Sequence, residues 1–296
     1  MTNLKKFNYL PYFFISPALL HFVIFWIFPI AFTFILSFMD WSPLNPLSNM
    51  SYIGLKNYEA IFNSEEFWIS IKNSFYFAIV SQPITMAIGL TLALLLKDRK
   101  GGSVFRTIIF LPVITSSVAV SAIWAWMYNP TYGIINDVFS KIGLPKRNWL
   151  GDPITALPSI MIVDIWMWAG YHMVLFLAGL QSIPPDLYDA AKVDGAGRLS
   201  MLFKITIPLL KPIILFITVM ATIGALQIFD LVYVLSGMEY AGGPGMSTLV
   251  MILEIYKVCF RKLWFGQAAA MAVIFFFIIL IISLIEIKLL RGGMYA

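Results

Sequence analysis

Residues 188–212 read YDAAKVDGAGRLSMLFKITIPLLKP, a short stretch rich in alanine and charge. It is flanked by two long apolar runs, at about residues 156–181 and 212–236. Each run is long enough to cross the roughly 30 Å hydrocarbon core of a bilayer as a helix, which takes about 20 residues. The stretch is therefore predicted to connect two membrane-spanning helices.

The composition favours a bilayer as the solvent of the whole chain. Of its 296 residues, 60% are hydrophobic and 12% are charged, about half the charged fraction of a soluble domain. A single soluble core could not hide that much apolar surface. One cysteine excludes an internal disulfide framework, and two histidines leave little for a metal site. The residues that carry the net charge of +5 lie in loops and short tails. We interpret this charge as a signal of how the chain is oriented in the membrane, and we predict no nucleic-acid partner.

Six apolar runs have the length of a membrane-spanning helix. They cover approximately residues 13–38, 73–96, 107–128, 156–181, 212–236 and 266–285. The first run is longer than the apolar part of a signal peptide, so it is predicted to remain as a helix. With the N-terminus inside, twelve Lys and Arg residues fall on the cytoplasmic side and eight on the other. We therefore predict a single all-α integral-membrane domain over residues 1–296, with six transmembrane helices and both termini cytoplasmic.

The cytoplasmic connection at residues 182–211 is predicted to form two short helices. Prolines at 184–185 suit the first turn of a helix that runs over 186–193 for about 12 Å. Glycines break it near Gly195, and a second helix over 198–206 ends before Pro208. Small residues leave the surface between them with little side-chain bulk, so that another protein's backbone could approach closely. An ordinary surface helix lying at the headgroups is the alternative.

The spacing of these residues resembles the EAA loop of bacterial binding-protein-dependent ABC permeases. Asp189-Ala190-Ala191 is followed after three residues by Gly195, and after nine more by ITIP at 205–208. The resemblance extends over nearly the whole chain and includes FISPALLHFVIFWIFPI, YIGLKNYEAIF, LFLAGLQSIPPDLYDAAKVDGAG, QIFDLVYVLSG and FGQAAAMAVIFFFIILIISLIEIKLLRG. Together these segments are similar to the first of the two paired permeases in sugar-uptake systems of the maltose and glycerol-phosphate type.

The resemblance implies an ABC importer permease fold whose EAA loop is a coupling helix that docks into a cytoplasmic ATPase. The residues implied in this contact are Asp189, Ala190, Ala191, Asp194, Gly195, Ala196 and Pro208. Two features depart from the family pattern. Asp189 stands where the family has a glutamate, and Met238–Ala241 lengthen a glycine-rich turn after the fifth helix that is usually compact.

The implied partners are a second homologous permease, an ATPase dimer, an extracytoplasmic solute-binding protein, a mono- to oligosaccharide solute and the lipid of a bacterial cell membrane. The chain has no GxxxxGK[ST] phosphate loop, so ATP and Mg are expected on the partner ATPase and no cofactor on this chain. The sequence also lacks HExxH and G-x-S-x-G, so no catalytic residue is predicted. The rival interpretation is an ion- or proton-coupled secondary transporter that uses Asp164 and Asp230 as relay groups, although no clear internal repeat is visible.

The fourth apolar run contains a candidate sugar site. A carboxylate in hydrocarbon is costly and usually faces a cavity or a partner. Asp164 shares one helical face with Met167, Trp168 and Tyr171, at i+3, i+4 and i+7. An acceptor for hydroxyls beside aromatic faces suits a neutral sugar. The resemblance strengthens this interpretation, because the four positions match those that line the sugar site of the maltose-type permease. In the alternative, Asp164 bonds a neighbouring helix and the aromatic residues only pack.

Two other helices are expected to contribute to this site. In the third, Val113, Ser117 and Ser121 are predicted to share a face, and the first two match cavity-lining positions of that permease; Ser121 could instead bond its own backbone. In the fifth, Gln227 and Asp230 belong to a QxFD motif and either touch the solute or support helix packing. Matching positions there are Ala221, Ala225 and Ile228. Gln82 in the second helix is predicted to be structural. The absence of Lys and Arg from the membrane centre argues against an anionic solute such as a sugar phosphate, unless the partner permease supplies the cation.

Overall fold

The computed structural model describes residues 10–99, 101–237 and 242–292. Lys5, Lys6 and Lys100, which entered the charge count, and the extended turn at Met238–Ala241 lie outside the described residues. The chain divides into two compact units. One comprises the described parts of residues 1–63 and 255–276, and the other those of residues 64–254 and 277–296.

The described residues are mostly helical. In chain order the helices are α1 Leu10–Phe22, α2 Phe28–Leu36, α3 Lys56–Phe62, α4 Glu65–Leu96, α5 Gly102–Phe110, α6 Ser117–Met127, α7 Ile134–Lys141, α8 Ala156–Gln181, α9 Pro185–Val193, α10 Arg198–Met201, α11 Ile207–Leu209, α12 Lys211–Leu226, α13 Asp230–Leu235, α14 Met251–Tyr256 and α15 Phe265–Gly292. Short 3₁₀ turns cover Leu47–Asn49, Leu111–Ile114 and Pro244–Met246, and π-helical turns cover Val23–Ile27, Leu202–Thr206 and Lys257–Arg261. Two short strands, β1 Met39–Asp40 and β2 Ser51–Tyr52, pair antiparallel.

Within the described residues, five helical segments have the length and composition to cross a membrane. They are Phe13–Leu36, Glu65–Leu96, Ala156–Gln181, Lys211–Leu235 and Phe265–Leu290. A sixth candidate is a pair of helical segments, Gly102–Ile114 and Ser117–Met127, that meet at an angle of 96°. Counting this pair as one span gives six candidate spans, the number predicted from the sequence. The span predicted over 107–128 thus falls on two helical segments with a sharp bend between them and not on one straight helix.

The bend in the third span follows from its local sequence. Pro112 lies at the start of the 3₁₀ turn Leu111–Ile114, and a proline cannot donate the backbone hydrogen bond that an α-helix needs. Thr115 and Ser116 are then extended, with ψ angles of 144° and 128°. The helix restarts at Ser117. Val113 and Ser117 therefore do not share one helical face, contrary to the prediction.

The fifth span is also interrupted. Helix α12 ends at Leu226, and Phe229 has φ −137° and ψ −61°, outside the helical region. Helix α13 begins at Asp230. Three residues of non-helical chain therefore separate the two parts of this span.

Helix α4 begins at Glu65, well before the predicted start of the second span at residue 73. Ser64 is its N-cap, and the Ser64 hydroxyl accepts a 3.4 Å hydrogen bond from the Phe67 backbone N–H. Glu65 and Glu66 lie in the first turn, where negative charge is favourable. With 32 residues, α4 is about 48 Å long at 1.5 Å per residue. The helix is therefore longer than the hydrocarbon core is thick, and part of it projects beyond the core.

In the second unit, α4 and α8 pack through a glycine. A Cβ atom added at Gly89 would lie 2.6 Å from the Cβ of His172, so only a residue without a side chain allows this approach. Gly170 on α8 similarly faces the backbone carbonyl of Ile109 in α5. Apolar side chains continue this packing in a buried cluster: Ala93, Leu96, Met173, Phe176, Leu177, Leu180, Ile183, Leu210 and Ile217. Helix α8 is thereby fixed against its neighbours along much of its length.

In the first unit, a buried asparagine holds the hairpin against α2 and α3. The Asn57 Nδ2 group donates hydrogen bonds to the carbonyl oxygens of Ser37, at 3.0 Å, and Met39, at 2.9 Å. The Tyr58 hydroxyl donates to Ser37 Oγ at 2.8 Å. Because buried carbonyl groups need partners, these bonds fix the chain where it leaves the first span.

Candidate solute-binding cavity

The two helix breaks open onto one cavity of about 530 Å³ in the second unit. Its walls are formed by α4, α8, α12, α13 and the bent segment before α6. The lining residues are Gln82, Val113, Thr115, Ser117, Asp164, Met167, Trp168, Tyr171, His172, Leu175, Ile217, Met220, Ala221, Gly224, Ala225, Gln227, Ile228, Phe229, Asp230 and Leu231. The volume is in the range of small-molecule sites.

All seven predicted substrate-binding residues line this cavity. They are Ser117, Asp164, Met167, Trp168, Tyr171, Gln227 and Asp230. The three apolar positions expected from the fifth helix, Ala221, Ala225 and Ile228, also line it. Residues from three separate runs of sequence thus come together in the wall of one cavity.

Asp164 lies in the wall of the cavity with 4% of its surface exposed. Its Oδ2 atom accepts a long hydrogen bond, 3.5 Å, from Nε2 of Gln82 on α4. The same Gln82 nitrogen donates to Ser81 Oγ at 3.1 Å. Gln82 therefore supports Asp164, and in addition to the structural role predicted for it, it lines the cavity.

The aromatic residues on α8 form a corner of the wall. The rings of Trp168 and Tyr171 meet edge to face with centroids 5.9 Å apart. Trp168 retains 38% of its surface exposed, so part of its ring is free to contact another molecule. Trp166 does not line the cavity. Its ring meets that of Trp124 at 5.6 Å on a different side of α8.

A polar contact joins the two interrupted helices. Ser117, the first residue of α6, donates a 2.8 Å hydrogen bond from its hydroxyl to Oδ2 of Asp230, the first residue of α13. The Asp230 carboxylate thus sits at a helix N-terminus, where negative charge is favoured. Ser121 donates to the backbone oxygen of Ser117 at 2.7 Å and is buried, as the alternative for this residue proposed.

The charge in the cavity has one sign. Asp164 and Asp230 are its carboxylates, and none of its described lining residues is Lys or Arg. Hydroxyl, amide and carboxylate oxygens lie beside Trp168, Tyr171 and Phe229. Such a surface can accept hydrogen bonds from hydroxyl groups and stack against the C–H faces of a ring.

Sequence reasoning missed several lining residues. His172 and Leu175 follow Asp164 at i+8 and i+11, so extending the helical stripe by one turn would have found them. Thr115 and Phe229 line the cavity only because the helices break beside them. No periodic signal marks these two positions.

The predicted ATPase-coupling residues lie apart from the cavity, on and around α9. Prolines 184 and 185 are the N-cap and first residue of α9, as predicted. Asp189 forms a 2.8 Å ion pair with Lys192, and both side chains are exposed. Gly195 has φ +78° with no atom within 4 Å of a hypothetical Cβ, which is the left-handed conformation that glycine adopts readily. Ala190 and Ala191 lie within α9, and Asp194 and Ala196 flank Gly195.

One detail of this segment differs from the prediction. A second short helix does begin at Arg198, but it does not end before Pro208. The chain continues through the π-helical turn Leu202–Thr206 into α11, which contains Pro208. The wider π-helical turn precedes the proline and accommodates its missing N–H.

Comparison with known proteins places this architecture in a family. The model of the binding-protein-dependent transport system inner membrane component matches residues 85–289. The chain belongs to this family. Its members are transport subunits and not enzymes, and the chain is accordingly a multi-pass membrane protein.

Individual relatives cover almost the whole chain. It is 37% identical to the probable ABC transporter permease protein YurN of Bacillus subtilis (strain 168), over 99% of each chain. It is 35% identical to the trehalose/maltose transport system permease protein MalF of Thermococcus litoralis, over 95% of this chain and 94% of that one. A solved structure of a bacterial alginate ABC transporter, in complex with an alginate pentasaccharide-bound periplasmic protein, aligns with a TM-score of 0.85 and 26% identity, over 98% and 96% of the two chains.

Proposed function

We propose that this chain is a permease subunit of an ATP-driven, binding-protein-dependent carbohydrate importer. The observation that carries this proposal is the cavity, which two interrupted helices line with Ser117 and Asp230 and which α8 lines with Asp164, Trp168 and Tyr171. We propose that the 296-residue chain forms a single transmembrane domain. Both termini are then cytoplasmic, as the distribution of Lys and Arg favours.

The chemistry of the cavity supports a neutral carbohydrate as the solute. Asp164, Asp230 and Gln227 provide acceptors for hydroxyl groups, and Trp168 provides a partly exposed ring. The described lining residues include no Lys or Arg that could pair with an acidic sugar. The relative from Thermococcus litoralis is named a trehalose/maltose transport system permease protein, which supports a mono- to oligosaccharide as the solute of this chain.

The α9–α10 segment supports coupling to a separate ATPase. Its exposed surface combines the small residues Ala190, Ala191 and Gly195 with Val193, whose side chain is 88% exposed. Small residues allow close backbone approach, and an exposed aliphatic side chain at the centre of a contact provides apolar area. Because the chain has no phosphate-binding loop of the GxxxxGK[ST] type, ATP and Mg would be bound by that ATPase.

The remaining partners follow from the same assignment. A second, homologous permease would complete the wall of the solute path, and an extracytoplasmic binding protein would deliver the solute. The alginate transporter structure, which contains a periplasmic binding protein, supports such an assembly. The relay interpretation, with Asp164 and Asp230 as proton carriers, gains no support from family membership, although both groups lie in the cavity.

Reconstitution tests the proposal against its rival. The chain is purified with its native partners, placed in vesicles and supplied with the loaded binding protein. Uptake that requires ATP and the binding protein, and that persists when ionophores collapse the ion gradients, is the expected result. Solute uptake by the chain alone, driven by an ion gradient and independent of ATP, would instead favour a secondary transporter.

A further inference from the structure

Helix α7 presents an unpartnered aliphatic stripe beside the ends of two candidate spans. Ile134 and Val138 on α7 and Ile142, the C-cap residue directly after it, recur every four residues, and their side chains are 49%, 50% and 65% exposed. Residues spaced by four lie on one side of a helix. Helices of eight residues are not stable alone in water, so the opposite side must anchor α7 to the rest of the unit.

A buried asparagine supplies that anchor. Asn136 is 1% exposed, and its Nδ2 group donates to the carbonyl oxygens of Pro130, at 3.2 Å, and Arg147, at 2.8 Å. Its Oδ1 atom accepts from the Arg147 N–H at 3.1 Å and from Trp149 Nε1 at 2.9 Å. Because both the amide nitrogen and the amide oxygen of Asn136 are hydrogen-bonded, this residue links α7 to the segments before and after it. The orientation of the helix is therefore fixed.

A chain of aromatic contacts then fixes the position of α7 along the spans. The Phe139 and Trp149 rings meet edge to face at 5.0 Å, and those of Trp149 and Tyr128 lie 6.0 Å apart. Tyr128 directly follows α6, and its hydroxyl donates a 2.9 Å hydrogen bond to the carbonyl of Ser159 in the first turn of α8. Helix α7 thus lies where the third candidate span ends and the fourth begins, at the level of a membrane boundary.

We infer that α7 is an interfacial helix that lies on the phospholipid surface, with its aliphatic stripe among the upper acyl chains. Short amphipathic helices adopt this position when apolar side chains face the lipid and cationic ones flank them. Lys141 lies on the same side of α7 as the stripe, and Lys146 and Arg147 follow shortly after. Their side chains form no ion pair within the described residues. They complement phosphate groups.

The exposed surface of α6 continues toward the same boundary. Ile123 and Trp126 are 57% and 54% exposed on this candidate span. Trp126 stands next to the last residue of α6, the depth at which tryptophan is enriched in membrane proteins. The exposed side chains of α6 and the aliphatic stripe of α7 can therefore both be covered by lipid, without a partner protein. If both termini are cytoplasmic, the lipid that contacts α7 belongs to the outer leaflet.

Spin labels measure the depth of α7 directly. The assembled transporter, with Cys259→Ser to remove the native thiol, is labelled at Val138→Cys or, as the matched control, at Ser140→Cys. Ser140 is exposed but lies two residues along, on nearly the opposite side of the same helix. In phosphatidylcholine–phosphatidylglycerol vesicles, the label at 138 should collide more often with oxygen, which partitions into lipid, than with a nickel chelate. The label at 140 should show the reverse.

Two outcomes would overturn the inference. A label at 138 that collides mainly with the nickel chelate, as at 140, places the stripe in water. A label at 138 that is shielded from both reagents places it under another protein, and repeating the measurement without the binding protein shows whether that partner is the receptor or the second permease. As a second readout, the oxygen preference at 138 should increase with the phosphatidylglycerol fraction, and Lys141→Gln should reduce that increase.

Discussion

The hydroxyl of Ser117 donates a 2.8 Å hydrogen bond to the carboxylate of Asp230, and each residue is the first of a helix that begins at a break in a membrane span. The bond joins positions separated by more than a hundred residues of sequence. It also closes one side of the cavity that contains Asp164. One polar contact therefore joins the two membrane spans at the points where their helices are interrupted.

The first prediction concerns this contact. Hydrogen bonds to charged groups contribute about 1.5–3 kcal/mol, and about 1.4 kcal/mol corresponds to a tenfold change in rate. Ser117→Ala and Asp230→Ala should each lower solute uptake by about tenfold or more, while the complex still assembles. If the two residues act as a pair, the double variant should be little worse than the poorer single variant.

The matched control for this pair is Ser121→Ala. The Ser121 hydroxyl donates to the backbone of its own helix and Ser121 does not line the cavity, so its loss should leave uptake close to that of the parent protein. Fully additive losses in the double variant would show that Ser117 and Asp230 act separately and that their hydrogen bond has no part in transport.

A second prediction concerns the face of α8. Asp164→Ala should weaken uptake by about tenfold or more, because a buried acceptor for a solute hydroxyl is lost. Gln82→Ala should have a smaller effect, since its 3.5 Å hydrogen bond to Asp164 is long. Trp168→Ala should also reduce uptake, because it removes the partly exposed ring at the cavity wall. Initial uptake rates and the yield of assembled complex are measured together.

Trp166→Phe is the control for the aromatic change. Trp166 packs against Trp124 outside the cavity, so this variant should lose much less activity. Basal ATPase activity should persist in every variant of this set, because the α9–α10 segment is unchanged. If Asp164→Ala assembles normally and transports at the full rate, Asp164 is a packing residue.

The parts of this fold that sequence predicted are those with a local signal. Apolar runs of the required length locate the spans, and the 3.6-residue period of a helix places Asp164, Trp168 and Tyr171 on one face. The second span was predicted too short, because Glu65 and Glu66 look unlike membrane residues although they favour a helix start.

What sequence did not predict depends on the chain's path through space. Pro112 interrupts the helix of the third span, but the apolar run around it has the length of one membrane-spanning helix, so run length alone does not reveal the break. The break before Asp230 contains neither glycine nor proline, so no local signal marks it. The contact of Ser117 with Asp230, and the entry of Thr115 and Phe229 into the cavity wall, follow from these two breaks.

A third prediction tests the charge at the proposed ATPase contact. Asp189→Glu should be tolerated, because it retains the carboxylate, whereas Asp189→Lys should abolish coupled uptake if Asp189 faces a cation of the ATPase. The ion pair with Lys192 is exposed and lies within one helix, where such pairs contribute only about 0.2–0.5 kcal/mol. Neither variant should therefore destabilise the chain.

Lys192→Ala separates the two roles of Asp189. It removes the pair within α9 but leaves the carboxylate free for another partner. Uptake and ATP hydrolysis stimulated by the loaded binding protein are compared across the three variants. Equal activity of Asp189→Glu and Asp189→Lys would show that the carboxylate is not at the contact, and a Lys192→Ala defect as severe as that of Asp189→Lys would assign the effect to the intrahelical pair.

The last prediction concerns the turn after α9, where bulk and backbone strain must be told apart. Gly195→Leu should leave membrane insertion intact, because no apolar span changes, and it should uncouple uptake from ATP hydrolysis by preventing close approach of the ATPase. The left-handed backbone at φ +78° also disfavours leucine. Gly101 provides the matched control, since it has φ +74° and equally open surroundings in the connection between α4 and α5. Gly101→Leu carries the same strain outside the proposed contact and should retain most of the stimulated ATPase activity. Equal losses in the two variants would assign the defect to strain, and normal coupling in Gly195→Leu would show that the ATPase does not approach this turn.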